Sequence, residues 1–210
     1  MPDYAAMASK PLAAADREAF RAHLRRVAPL ADAEVAMVDV GARVRVLARG
    51  EPFLCAGDVA VDCGTVLAGV MREFYPLADG REVTRGFAGP GDSVGSLSDL
   101  LSGDPARSSA VAEVEARLVV VPWALLRDAA ARVPAWTQLL ARVTERLYLA
   151  KAAREYELLA LDAEARYLQF RVRYAAIEAD ISLRHVASYV GVTPEHLSRL
   201  RRRLADAPAG

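Results

Sequence analysis

Residues 182–204 constrain this chain more than any other stretch. Ala187 is small where two helices must touch, and Gly191 stands four residues later, where the chain has to turn sharply through positive φ. Val186, Val190, Val192, Leu197 and Leu200 recur at spacings that bury them between two helices. Thr193 is a good N-cap and Pro194 suits the first helical position. The pattern predicts a helix-turn-helix. Such an element lays its second helix in the major groove of duplex DNA while the first crosses the backbone.

A formal net charge of zero looks wrong for a chain that meets DNA, but the charges are unevenly placed. Residues 1–133 hold 15 basic and 18 acidic side chains, and residues 134–180 hold seven of each. Residues 181–210 hold five arginines against two acids, so the positive excess sits on the element that would face phosphates.

The length of 210 residues suffices for one large or two small domains with real cores. Just over half the residues are apolar, as in ordinary globular chains. No segment has the run of about 18 apolar residues that a membrane span needs. Residues 1–15 are Ala-rich but carry Asp3 and Lys10, and read as a short lead-in rather than a signal peptide. A cytoplasmic location and no membrane partner are therefore expected. Cys55 and Cys63 lack C-x-x-C spacing and read as free thiols. With His23, His185 and His196 they form no metal-ligand spacing, so no metal is expected. No Ser/His/Asp order suggests a nucleophile, so no catalytic residues are assigned.

Residues 13–27 show the apolar spacing of an amphipathic helix through Phe20, Leu24 and Val27. From about Val35 to Val121 the segments shorten, β-branched residues become frequent and turn residues recur, as in a β-barrel or jelly roll. Residues 65–75 and 81–87 make the best hairpin candidate, and residues 108–115 and 117–121 a second pair. A short helix is expected over 123–132. A long one follows Pro134 and runs from 135 to about 161, some 40 Å at 1.5 Å per residue. Trp136, Leu140, Val143, Leu147, Ala150, Arg154, Leu158 and Leu161 mark a seam along it, for pairing with a second copy or for packing on its own barrel. Residues 162–177 form a further helix before the helix-turn-helix.

This order of elements resembles the Crp/Fnr family of bacterial transcription regulators, over about residues 17–204. The motifs are Gly91-Asp92-Ser93-Val94-Gly95 after a Gly-Pro turn, Arg107-Ser108-Ser109-Ala110, and Val186 through Leu200 of the helix-turn-helix. The resemblance implies an α+β architecture. A cupin-like β jelly roll over 1–133 would be the cyclic-nucleotide-binding-like sensor, 134–161 the dimerisation helix, and 162–210 the DNA-binding domain. It implies a homodimer, two recognition helices about 34 Å apart on a pseudo-palindromic operator, and RNA polymerase as a further partner. The chain ends six residues after Leu204, as in members without a β-hairpin wing.

By the resemblance, Gly95, Ser96, Arg107 and Ser108 would hold a ligand, with the arginine on the cyclic phosphate. Ser96 stands where a ribose-binding glutamate is usual, and Ala150-Lys151-Ala152 lacks the hydroxyls that touch the purine. A cyclic nucleotide, another small anionic effector and no ligand at all remain open, as does a structural ion pair of Arg107 with Asp99 or Asp104. The cysteine cluster of the oxygen-sensing branch is absent. On the second helix, Glu195, Ser198, Arg199 and Arg202 face away from the inward leucines and are the expected base readers. Ser188, Thr193, Arg201 and Arg203 are the expected phosphate contacts. Pro194 cannot serve as a third reader, which points to a different operator from the best-known one. The expected function is a DNA-binding regulator, switched by a ligand or constitutive; the alternative is a small-molecule sensor whose helix-turn-helix makes protein contacts.

Overall fold

The computed structural model describes residues 10–206. Most of the expected lead-in, residues 1–9, lies outside the described residues. Its end does not: β1 (Lys10–Pro11) pairs with β2, ahead of α1 (Ala14–Val27) and α2 (Asp32–Asp39). The jelly roll follows as β2 (Arg43–Leu47), β3 (Pro52–Leu54), β4 (Asp62–Ala68), β5 (Met71–Pro76), β6 (Glu82–Ala88), β7 (Ser93–Val94), β8 (Ser109–Ala112) and β9 (Ala116–Pro122), with α3 (Leu97–Ser102) between β7 and β8. The chain then runs through α4 (Trp123–Arg132), α5 (Pro134–Ala160), α6 (Ala163–Arg173), a 3-10 turn (Glu178–Asp180), α7 (Leu183–Val190) and α8 (Pro194–Asp206). The sixth helix is shorter than expected, closing at Tyr174 instead of Ile177.

The strands form two antiparallel sheets, ordered β1-β2-β9-β4-β7 and β3-β8-β5-β6. This corrects two sequence expectations. Residues 65–75 are not one hairpin arm, because the chain breaks after β4 and crosses to the other sheet. Gly69 takes φ +78°, and a Cβ there would lie 2.0 Å from the Glu115 carbonyl oxygen, so only glycine lets the two turns touch. Likewise β8 and β9 do not pair with each other: β8 lies between β3 and β5, and β9 between β2 and β4.

Strand alternation distributes the core. On β9, Leu118 and Val120 point into the jelly roll with Leu47, Val66, Met71 and Val94, while Val119 and Val121 point out under a helical layer. That layer is α1, α2, α4 and the start of α5, which contribute Phe20, Val35, Val38, Leu126 and Trp136. A third core holds Phe170, Tyr189, Val190, Leu197 and Leu200 of the C-terminal helices together with Val70 and Phe87 of the barrel. The C-terminal unit is thus seated on the outer face of the β5-β6 sheet. Among the described residues, no helix is long and apolar enough to cross a membrane.

Candidate functional site

The turn between α7 and α8 forms as its residues require. Gly191 takes φ +80°, its amide donates to the Ala187 carbonyl at 2.9 Å, and the Val192 amide donates to the same oxygen at 3.0 Å. These bonds satisfy the last carbonyls of α7. Ala187 is fully buried, with Leu197 and Leu200 of α8 packed in the same core. Thr193 Oγ1 accepts the His196 amide at 3.2 Å, which caps α8 and leaves the hydroxyl proton free to donate. Next to it the Glu195 carboxyl sits below its usual range, held by its own backbone amide first and then by Thr193 and the nearby Arg199.

With the leucines inward, Glu195, Ser198, Arg199 and Arg202 all lie exposed on one side of α8. Arg199, Arg201 and Arg202 make no ion pair among the described residues. Arg203 does: it pairs with Glu164 of α6, so this expected phosphate contact is already engaged at one end. Ser188 differs more. Its Oγ accepts the Thr84 amide of β6 at 3.0 Å and donates to the Glu82 carbonyl at 3.1 Å. In this arrangement α7 lies along the barrel and Ser188 is spent there, not open to a phosphate. Sequence spacing could place Ser188 on the outer side of α7 but could not show that β6 covers it.

Further contacts lock the two units. The Glu113 carboxylate, nearly fully buried, accepts the Ser182 amide at 3.0 Å and meets His185 Nδ1 at 2.6 Å. Burial alone would push its pKa up; the His185 ring and the Ser182 amide more than reverse this and hold it at about 2. Phe87 of the barrel sits among Phe170, Tyr174 and Tyr189, with ring centroids 5.4–6.2 Å away. Arg154 of α5 donates to the Tyr189 carbonyl and lies 3.9 Å over that residue's ring.

The last contact corrects the seam expected on the long helix. Trp136, Leu140 and Val143 pack on the chain's own barrel unit and Arg154 faces the C-terminal unit, so these positions, unlike Leu147, Ala150 and Leu158, do not line a free surface. Leu147 and Leu158 of the expected seam stay exposed, and a second exposed apolar strip runs beside them at a different phase. Leu149, Tyr156 and Leu159 are 65%, 63% and 81% exposed, and with Ala152 they follow a 3,4,3 spacing.

In the barrel, Ser96 and Ser108 are buried beside the glycine turn, as a ligand cradle would need. Arg107 departs from expectation: its side chain is exposed and pairs with neither Asp99 nor Asp104. The arginine that does reach Ser108 is Arg85 of β6, whose Nη1 donates to Ser108 Oγ at 3.2 Å. Its other partner is Glu73 of β5, at 3.5 Å. Both residues went unassigned in the sequence. A signal existed: Glu73 lies two residues after Met71, a core residue of the barrel, and so occupies an inward position. Cys55 and Cys63 are free thiols, and burial pushes the Cys63 thiol up to about 12. Among the described residues no His/Cys/Asp/Glu group is arranged to hold a metal.

Residues 44–132 match the cyclic nucleotide-binding domain. None of the curated proteins matches the chain. Among solved structures, FixK2 from Bradyrhizobium japonicum superposes with a TM-score of 0.69 at 24% identity, over 78% of this chain and 84% of that one. The catabolite activator protein of Thermus thermophilus is 27% identical over 88% and 87% of the two chains, with a TM-score of 0.54. CLP of Xanthomonas campestris, described as a c-di-GMP responsive global regulator, gives 0.66 at 18% identity over 83% and 92%. The class that the fold defines is a jelly roll similar to a cyclic nucleotide-binding domain, followed by a long helix and a helix-turn-helix. Residues 44–132 are thus similar to a cyclic nucleotide-binding domain, and the chain shares its fold with FixK2 and the catabolite activator protein.

Proposed function

We propose that the chain is a sequence-specific, DNA-binding transcription regulator that acts as a homodimer. The observation that carries the reading is the outer face of α8. Glu195, Ser198, Arg199 and Arg202 stand exposed together on a helix whose opposite side is anchored by Leu197 and Leu200. Arg199 suits a bidentate contact with guanine O6 and N7, and Glu195 an acceptor contact with cytosine N4. Thr193, Arg201 and, after release from Glu164, Arg203 supply phosphate contacts. The expected further partner is RNA polymerase.

Selection of bound sequences from a random duplex pool tests the reading, and a pseudo-palindromic motif is expected. Arg199→Ala should weaken binding to that motif by about 1–3 kcal/mol, roughly tenfold to a hundredfold, and relax one base position in each half-site. Non-specific, salt-sensitive binding should persist. An unchanged base preference in a binding series across operator variants would remove Arg199 from the readers.

The dimer is proposed to form along Leu149, Ala152, Tyr156 and Leu159 of two α5 helices. Leu149→Glu combined with Leu159→Glu should convert a dimer to a monomer in sedimentation while leaving the melting temperature of the protomer's own core in place, since both side chains are exposed. A double variant that still sediments as a dimer would move the interface elsewhere. The jelly roll is the proposed seat of any small effector, at the Gly95-Ser96 turn and Ser108.

A further inference from the structure

The effector position of the jelly roll is occupied by the chain's own charges. On β5, Met71 points into the barrel core, and Glu73 follows on the same face. On β6 a bulge interrupts the register: Glu73 faces Gly86 and Phe74 faces Thr84, which leaves Arg85 as the extra residue. A bulge turns such a side chain out of strict alternation. Here it brings the Arg85 guanidinium to Glu73 Oε2 at 3.5 Å and to Ser108 Oγ at 3.2 Å. Both side chains are largely enclosed, 19% exposed for Glu73 and 25% for Arg85. The Glu73 carboxyl lies above its usual range, because burial outweighs the pull of Arg85, the Gly95 amide and Lys151 of α5 in the other direction. The groups that favour its charged form therefore include the glycine turn and Arg85, the partner of Ser108. Arg107 points to solvent and does not compete for the place.

We propose that Glu73 is the residue that sets effector specificity. Its carboxylate pairs with Arg85, the arginine that holds Ser108, at the place proposed for a cyclic phosphate, and so closes the barrel to cyclic nucleotides. The inference rests on the reading of the Gly95–Ser108 region as the effector position; it does not depend on what α8 binds. The physical reason is twofold. A cyclic phosphate entering this place meets a like charge a few ångströms away in a poorly hydrated interior. It also finds Arg85, the arginine that holds Ser108, already paired with Glu73, so any gain from that arginine must first break the pair.

The test uses the full chain and two probes, cyclic AMP and inorganic phosphate, followed by thermal melting and by calorimetric titration. Wild type should show no shift and no heat with either probe at millimolar concentration. Glu73→Ala frees Arg85 and space, and should gain at least about tenfold in affinity for cyclic AMP. Glu73→Gln removes the charge at nearly constant volume and should gain phosphate binding even if the alanine variant folds poorly. Adding Arg85→Ala to either variant should abolish the gain, which separates a freed anion site from general loosening. Cyclic AMP binding by wild type would overturn the closure while leaving the effector position intact. If neither folded Glu73 variant binds either probe, the Gly95–Ser108 region is not an anion site, and the closure falls together with the effector position. Neither result touches the assignment of DNA reading to α8.

Discussion

Replacing Trp136 by alanine is expected to lower stability by about 3–5 kcal/mol. No atom of its side chain is open to solvent, and its indole Nε1 donates to the Glu34 carbonyl at 3.1 Å. The ring sits where α5 leaves the barrel unit and closes the helical layer over Val119 and Val121 of β9. Truncation would leave a cavity between α2 and α5 and remove the indole's bond to the Glu34 carbonyl. For a chain of this length, 1 kcal/mol shifts the melting temperature by about 2–4 °C, so a drop on the order of 10 °C is expected. Trp136→Phe keeps most of the volume and should lose far less. The two variants, compared by denaturant unfolding, check the argument. A loss under about 1 kcal/mol for the alanine variant would mean that the layer collapses around the site at little cost.

The second large effect is an acid limb set by Glu113. The folded pKa of about 2 lies below the ordinary glutamate value of 4.5, so folding favours the charged form. The sign follows directly: above pH 4.5 the stabilisation is fully present, and it disappears as the pH falls through about 2. A depression of this size corresponds to about 3 kcal/mol. Glu113→Gln should therefore cost up to about 3 kcal/mol at neutral pH, and the two unfolding curves should converge between pH 4.5 and about 2. A difference that stays constant across this range would show that packing, and not the carboxylate's bonds to His185 and Ser182, accounts for the loss. Because Glu113 belongs to the barrel side and its partners to the start of α7, the same limb should appear in any probe of contact between the two units. Exchange of the Thr84 amide, which donates to Ser188 across that boundary, is one such probe.

Much of the functional element was legible in the linear chain. The turn at Gly191, the cap at Thr193 and the burial of Leu197 and Leu200 are demands of backbone geometry and helical period within a few residues. The same holds for the start of the long helix at Pro134. The strand pairing was less legible. Texture told that residues from about Val35 to Val121 alternate between strands and turns, but β-periodicity does not say which strand lies beside which. Gly69 fell inside residues 65–75, expected as one strand; only the carbonyl of Glu115, 46 positions later, makes it a crossing point between sheets.

The site residues divide along the same line. The outer face of α8 follows from the inward positions of its leucines, so Glu195, Ser198, Arg199 and Arg202 could be picked out before any fold was known. Arg107 could not be placed, because a motif position does not state where a side chain points. The bulge in β6 swings Arg85 inward while Arg107 stays outside, and Glu73 comes to face it across the sheet. Ser188 falls at a helical position that spacing leaves free and Arg154 on the expected seam, yet β6 covers one and the other lies over Tyr189. By itself, then, the sequence determined the local elements and the polarity of each of their faces, since these depend on neighbours within one or two turns. Only the tertiary structure decided what each face meets: the phase of the free strip on α5, the docking of α7 on the barrel, and the charge that fills the jelly roll. Those depend on contacts between residues far apart in the chain, which no short-range period encodes.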